Sequence, residues 1–330
     1  MIFSGPQTSK LTTPLVSVVT ATYNRSNVLR LAIESVRWQT FPDWELWVIG
    51  DACTDDTAEV VASFADPRIH FLNLPANVGE QSGPNNEGFR RTRGPFVAYL
   101  NHDDLWLPDH LETALEGIEA TGADLVFTLV DAVSASGKNS LWCVVPGMRY
   151  EPGLLVPASC WVCRRALVEE VGAWRSYREC HSVPSQDWLY RAWRAGKDLR
   201  LIPRLTVVAL PSGARRGAYA NRDVRENQHY FERIRREPDF RERELTAVVT
   251  NFDTPWLRWY PAPQLLLRAL RNALVRLCLA ARLDPVAVRN FFIYFRKGAF
   301  LDRLRSRRGL EPLSRRRARS GNQSPRQENE

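Results

Sequence analysis

Three short polar clusters carry the residue types that do chemistry. They are Thr20-Ala21-Thr22-Tyr23-Asn24, Gly50-Asp51-Ala52-Cys53-Thr54-Asp55-Asp56-Thr57 and Asn101-His102-Asp103-Asp104. Each follows a short apolar run, and neither a GxGxxG nor a GxxxxGK[ST] loop occurs, so a Rossmann dinucleotide loop and a P-loop are unsupported. Carboxylates stand where a phosphate loop would otherwise be. Because carboxylates repel phosphates, acids in that place suit a phosphate-bearing ligand only if a divalent cation bridges the two. Mg²⁺ or Mn²⁺ fits, since such cations take one or two carboxylates and fill the remaining positions with phosphate and water. Each cluster alone has a bland reading. Thr54 or Asp55 could cap a helix, Asp51 could sit in a turn, and Asp103-Asp104 could be a turn leading into a helix. Repetition at successive strand ends favours a site.

The elements that must position these clusters read as alternating strands and helices. LVSVVTA (15–21), WELWVIG (44–50), RIHFLNL (68–74), FVAYL (96–100) and DLVFTLV (124–130) are nearly continuous apolar runs. Helical patterns separate them, the first capped by Asn24 or Ser26 and the second running from Thr54 to Phe64. That alternation predicts an α/β fold, a mostly parallel Rossmann-like sheet with helices on both faces. In such sheets ligands bind outside the carboxyl ends of the strands. Residues 131–220 are less regular, with strands near 141–145, 158–163 and 205–210 and helices near 164–171 and 185–195. From Asn221 the chain turns helical, and Leu266, Leu270, Leu274, Leu277 and Ala281 share one face opposite Arg268, Arg271 and Arg282.

The ordered set SVVTATYNR, ELWVIGDACTDDT and NVGEQSGPNNEGFRRTRGPFVAYLNHDDLWLPDHL resembles a family-2 glycosyltransferase of the GT-A fold. WVCRRALVEEVGAWRS (161–176) and SQDWLYRAWRAGKDLRLIP (185–203) resemble that family's acceptor-side segments, so the likeness spans about residues 14–210. It implies a nucleotide-diphosphate sugar donor. Thr20, Ala21, Tyr23 and Asn24 match the motif that meets the base, and Asp51 the aspartate that bonds base or ribose. Asn86 joins the donor-binding set. Asp103 matches the last acid of the DxD motif and would hold the cation, with Asp104 flanking it. Asn101 stands where the first acid is usual, which keeps an acceptor oxygen but loses a charge. Asp187 matches the general base of a Glu-Asp pair whose first member is here Gln186; its bland alternative is a cap on helix 188–195. One carboxylate base with direct displacement would invert the anomeric centre, and no second nucleophile for a retaining route is evident. Trp161, Trp174, Trp188 and Trp193 fall in the acceptor half, mostly as core, and His102 and His181 read as polar loop residues.

The resemblance together with the pattern along the chain divides it into an N-terminal tail (1–13), a GT-A domain (14–220, donor half 14–130 and acceptor half 131–220), a helical extension (221–310) and a basic tail without apolar periodicity that reads as disordered (311–330). The net charge is +8 over 330 residues. Ten basic and two acidic residues between Arg296 and Arg319 account for all of it, so the basicity reads as a tail rather than a property of the fold. Nucleic acid is therefore not expected as a partner, and no RRM, KH or OB pattern supports one. A glycan or lipid-linked acceptor is expected, with peripheral membrane contact through 285–319, where Phe291, Phe292, Tyr294 and Phe295 adjoin the basic run. Without a secretory signal or a long apolar run, the expected location is the cytoplasm, on the inner face of the membrane. The six scattered cysteines, with one CxxC at Cys160 and Cys163, read as buried thiols rather than a zinc site. The competing reading is a catalytically silent nucleotide-sugar-binding protein, which Asn101 and Gln186 would permit.

Overall fold

The computed structural model describes residues 13–136, 139–212, 215–250 and 262–315. The chain opens with β1 (Val16–Thr22), α1 (Ser26–Arg37), β2 (Trp44–Gly50), α2 (Thr57–Ala62), β3 (Ile69–Asn73), α3 (Ser82–Arg91) and β4 (Phe96–Tyr99). It continues through β5 (Leu105–Trp106), α4 (His110–Thr121), β6 (Leu125–Val133), β7 (Asn139–Trp142), β8 (Trp161–Arg164), α5 (Arg165–Val171), α6 (Pro184–Arg194) and β9 (Leu199–Ala209). Helices follow: α7 (Ala218–Asn221), α8 (Arg225–Arg236), α9 (Phe240–Thr250), α10 (Ala262–Ala280), α11 (Pro285–Tyr294) and α12 (Ala299–Arg308).

Buried apolar strands make one sheet of order β3-β2-β1-β4-β8-β6-β9-β5, with β7 on β6. The first four pair in parallel, β8 enters antiparallel between β4 and β6, and β9 lies parallel to β6. Six strands thus point one way, and β5, β7 and β8 run against them. The register of β1 sets Thr22 beside Gly50 and Val19 beside Tyr99, so the loops leaving β1, β2 and β4 emerge on one edge. Trp44, Trp106, Trp161 and Trp188 are among the largest fully buried side chains. Trp161 meets Trp188 edge-on at 5.3 Å and Trp174 at 5.8 Å, while Trp193 packs against the same core, so the acceptor-half tryptophans are core.

Two capping expectations fail. Neither Asn24 nor Ser26 caps α1, and neither Thr54 nor Asp55 caps α2 through a side chain. Asp55 instead reaches back to the start of α1, where Oδ2 accepts the Ser26 N–H at 3.3 Å and pairs with Arg222 at 3.1 Å. A carboxylate at a helix start complements its exposed N–H groups even when it comes from another segment. The N-terminal tail up to residue 12 and the tail beyond 315 lie outside the described residues.

Candidate active site

The cleft lies where the strand ends converge. Ala21, Thr22 and Tyr23 leave β1, Asp51 leaves β2, and Asn101 to Asp104 leave β4, and all line it. The loop 75–81 adds Glu80, α7 adds Tyr219, and the far end of the chain adds Arg305 and Arg308.

The two adjacent aspartates do different work. Asp104 is buried, and its carboxylate is consumed by three donors: Ser159 Oγ at 2.5 Å and Asn101 Nδ2 at 2.9 Å on Oδ2, and the Leu210 N–H at 3.1 Å on Oδ1. Burial, then the charge of Asp103, pushes its carboxyl up to about 7. Among the described residues the Asp103 carboxylate takes a single donor, the Ser212 N–H at 3.0 Å on Oδ2, which leaves Oδ1 to a ligand. Burial opposes its charge, but His102, Arg308 and Arg25 outweigh that and hold its carboxyl below the usual value. Of the expected Asp103–Asp104 cation pair, only Asp103 keeps a ligand-ready oxygen; Asp104 is a brace. Asn101 explains itself here, because an aspartate in its place could not donate to Asp104.

A divalent cation fits this donor set. Among the described residues no group of three His, Cys, Asp or Glu side chains surrounds one point, so a caged protein site is absent. One carboxylate oxygen beside a diphosphate is nevertheless enough for Mg²⁺ or Mn²⁺.

The other expected donor-binding residues divide as well. Asp51, 4% exposed, accepts the Val78 N–H at 2.6 Å and the Gly79 N–H at 2.7 Å, so its carboxylate organises the 77–80 loop. Asn24 clamps the second loop through Thr54, accepting its N–H at 2.8 Å and donating to its hydroxyl at 3.2 Å. Asn86 is spent on the backbone of Trp174, donating at 2.9 Å and accepting at 2.8 Å. Thr20 is buried at 1% with its hydroxyl unpartnered. Thr20, Asn24 and Asn86 do not line the cleft; Ala21, Tyr23, Asp51, Asn101 and Asp103 do.

Asp187 sits in the first turn of α6, whose cap position is Val183, so it does not cap the helix. Its carboxylate pairs with Arg191 at 3.0 Å and Arg175 at 3.6 Å. It does not line the cleft directly. Both Asp187 and Glu80 act on the Cys180 thiol, which burial pushes well up first. Gln186 bonds both backbone groups of Val156, donating at 2.8 Å and accepting at 3.4 Å, which a glutamate could not do.

Comparison with known proteins settles the kind of domain. Residues 17–171 match the model of Glycosyl transferase family 2. Over those residues the chain is similar to the family-2 glycosyltransferases. It is 33% identical over 126 residues to the putative teichuronic acid biosynthesis glycosyltransferase TuaG of Bacillus subtilis, covering 38% of this chain and 50% of that protein. It is 36% identical over 98 residues to an Escherichia coli UDP-Glc:alpha-D-GlcNAc-diphosphoundecaprenol beta-1,3-glucosyltransferase, covering 30% and 38%. The chain spans half or less of the length of these relatives. The fold is shared with S. aureus TarS in complex with UDP-GlcNAc (TM-score 0.50, 20% identity, 59% of this chain and 58% of that one). It is also shared with a mannosyltransferase from Pyrobaculum calidifontis in complex with GDP-Man and Mn²⁺ (0.50, 18%, 86% and 89%).

Sequence reading of this glycosyltransferase domain passed over five cleft residues. Glu80 follows Asn77-Val78-Gly79 in the pocket loop; burial raises its carboxyl, and its oxygens accept from Ser82. His102, read as a polar loop residue, is buried, and burial lowers its pKa. Its Nδ1 lies 3.2 Å from the carbonyl of Ala21, which can only accept, so Nδ1 carries a proton. Tyr219 is packed near Tyr23 at 6.3 Å and under the Arg25 guanidinium at 5.3 Å. Arg305 and Arg308 belong to the basic run for which membrane contact is expected. Nothing local distinguishes them from Arg303 or Arg307, so no sequence signal would have found them.

Proposed function

We propose that this protein moves a sugar from a nucleoside-diphosphate donor to a glycan or lipid-linked acceptor in the synthesis of a cell-envelope polysaccharide. The observation that carries the reading is Asp103 Oδ1, left to a ligand in a cleft at the carboxyl ends of β1, β2 and β4. The activities of these relatives, teichuronic acid biosynthesis and glucosyl transfer to a diphosphoundecaprenol-linked sugar, support the class of reaction.

In this reading Tyr23 and Tyr219 offer ring faces to the nucleotide, and the loop braced by Asp51 shapes the pocket for it. Asp103 would hold Mg²⁺ or Mn²⁺, which when bound neutralises charge on the departing diphosphate. The acceptor oxygen attacks the anomeric carbon as the bond to the diphosphate oxygen breaks. The acceptor proton goes to Asp187, whose two arginines orient its carboxylate. A single direct displacement of this kind inverts the anomeric centre.

The helical extension bears on membrane contact. No helix among the described residues is long and apolar enough to cross a membrane. Leu266, Leu267, Leu270, Leu274 and Leu277 of α10 are 52–67% exposed, and Phe292 and Phe295 at α11 are 65% and 72% exposed. That face, flanked by arginines, is the better candidate for a lipid surface than the 296–319 run, part of which is buried.

Binding and turnover test the proposal. Thermal-shift screening against UDP-, GDP- and dTDP-sugars with and without Mn²⁺ is expected to give a metal-enhanced hit. Asp103→Ala is expected to lose donor hydrolysis and transfer, and Asp187→Ala to lose transfer while keeping nucleotide affinity. Full activity in both variants would overturn the assignment. Nucleotide binding without turnover of any donor would favour the catalytically silent reading.

A further inference from the structure

We propose that Arg308, delivered by the C-terminal helix α12, is the cation that receives the donor's diphosphate beside Asp103, and that Arg305 positions it. The inference rests on the nucleotide-sugar reading above and names residues that the family resemblance, confined to about residues 14–210, does not reach.

The helix is a docked arm rather than a tail. At its start the Gly298 N–H donates to Cys180 O at 3.0 Å. At its end the Gly217 N–H donates to Arg307 O at 3.0 Å, which ties α12 to the helix that carries Tyr219. Beyond it, Leu313 is buried and its N–H donates to Asp302 Oδ1 at 2.8 Å. Between these anchors Arg305, 3% exposed, donates from Nη1 to Gly79 O and from Nε to Glu311 O at 3.0 Å. Gly79 is also the residue whose N–H Asp51 accepts, so the arm and the pocket loop share one backbone unit. Gly79 has φ +87°, and a side chain there would meet Leu313.

The arm's two faces differ. Arg303 and Arg307 are exposed, whereas Arg305 and Arg308 line the cleft. Arg308 lines the same cleft as Asp103, His102 and Tyr219. Its Nε is buried and has no hydrogen-bond partner among the described residues. A guanidinium donor withdrawn from water without an acceptor is costly unless a ligand supplies one. A diphosphate does so well, because the planar fork can bond two phosphate oxygens at once. The neighbouring Asp103 reaches the same ligand only through a cation, so the two residues act on the diphosphate from different chemistries.

Isothermal titration of the full chain with a graded ligand series tests this. Uridine, UMP and UDP, and the guanosine equivalents, would be titrated into wild type, Arg308→Gln, Arg308→Lys and, as a control, Arg307→Gln. Arg308→Gln is expected to weaken UDP or GDP by ~10- to 100-fold, the loss of a charge-assisted contact. It should leave nucleoside affinity and the melting temperature within error. Arg308→Lys should recover part of the loss, and Arg307→Gln should match wild type. Undiminished diphosphate affinity in Arg308→Gln, or an equal loss for the nucleoside, would overturn the inference while leaving the proposed function standing. A wild-type chain that bound no nucleoside diphosphate would overturn both.

Discussion

Asp51 is the residue at which the sequence and the structure suggest different mechanisms, and one substitution separates them. The resemblance assigns its carboxylate to base or ribose. The structure shows both oxygens engaged by consecutive backbone N–H groups, at 2.6 and 2.7 Å, in a pocket loop. In Asp51→Asn one oxygen survives, and the new NH₂ faces an N–H it cannot accept. The lost charge-assisted bond is worth ~1.5–3 kcal/mol, and the stranded buried donor costs ~1–3 kcal/mol more. Even about 3 kcal/mol makes local opening of the loop roughly 100-fold more frequent. Native-state hydrogen exchange at Val78 and Gly79 should therefore accelerate by about that factor. Nucleoside-diphosphate affinity should fall with it, while amides in the buried strand β1 should keep their protection. Unchanged exchange at Val78 and Gly79 together with weakened binding would refute this reasoning and return Asp51 to direct ligand contact.

Two further substitutions test the rest of the scaffold. Asp131 is fully buried beside Asn139 at 2.8 Å, and burial, then the charge of Glu244, pushes its carboxyl up to about 7. Its folded value lies above its unfolded value, so its contribution to stability is full below about pH 4 and is lost as pH rises through about 7. Asp131→Asn should consequently gain stability over wild type between pH 5 and 8, on the order of 2 kcal/mol in urea unfolding; parallel pH profiles would count against it. Gln186→Glu restores the family's usual acid but removes the donor to Val156 O and adds a charge beside Asp187. It should lower stability by about 1–3 kcal/mol and not raise turnover, and a more active, equally stable variant would show that the missing charge matters more than the amide.

What the sequence made legible follows from how far each signal travels along the chain. Strands β1 to β4 and the clusters after them were readable because a parallel sheet buries both faces, leaving unbroken apolar runs with polar residues at their ends. The ends of elements were less so. The start of β9 at Leu199 was missed because Pro203 and Arg204 are exposed and the pairing with β6 shifts register near Leu129. Strand β5 has two residues and pairs with β9 some hundred positions away, so no periodicity reveals it. Asp103 and Asp104 look alike in sequence, while donors from Ser159 and Leu210 decide which carboxylate stays available. Those contacts join segments that have no local reason to meet.

The same logic applies to charge. The excess near the C-terminus equals that of the whole chain, which invites separation of a neutral domain from a basic tail. The cleft does not allow that separation. Asp51, Glu80, Asp103 and Asp104 all line it, and a diphosphate entering against four carboxyls would be repelled. Burial offsets part of this by raising Asp104 and Glu80 toward their neutral forms. The remaining field is opposed by guanidiniums, and two of them, Arg305 and Arg308, reach the cleft from α12. Arg305 makes that reach across 226 positions, to the carbonyl of Gly79. The carboxylates that identify the domain in sequence and the arginines that suit it to a phosphate ligand therefore form one electrostatic unit, assembled only by folding.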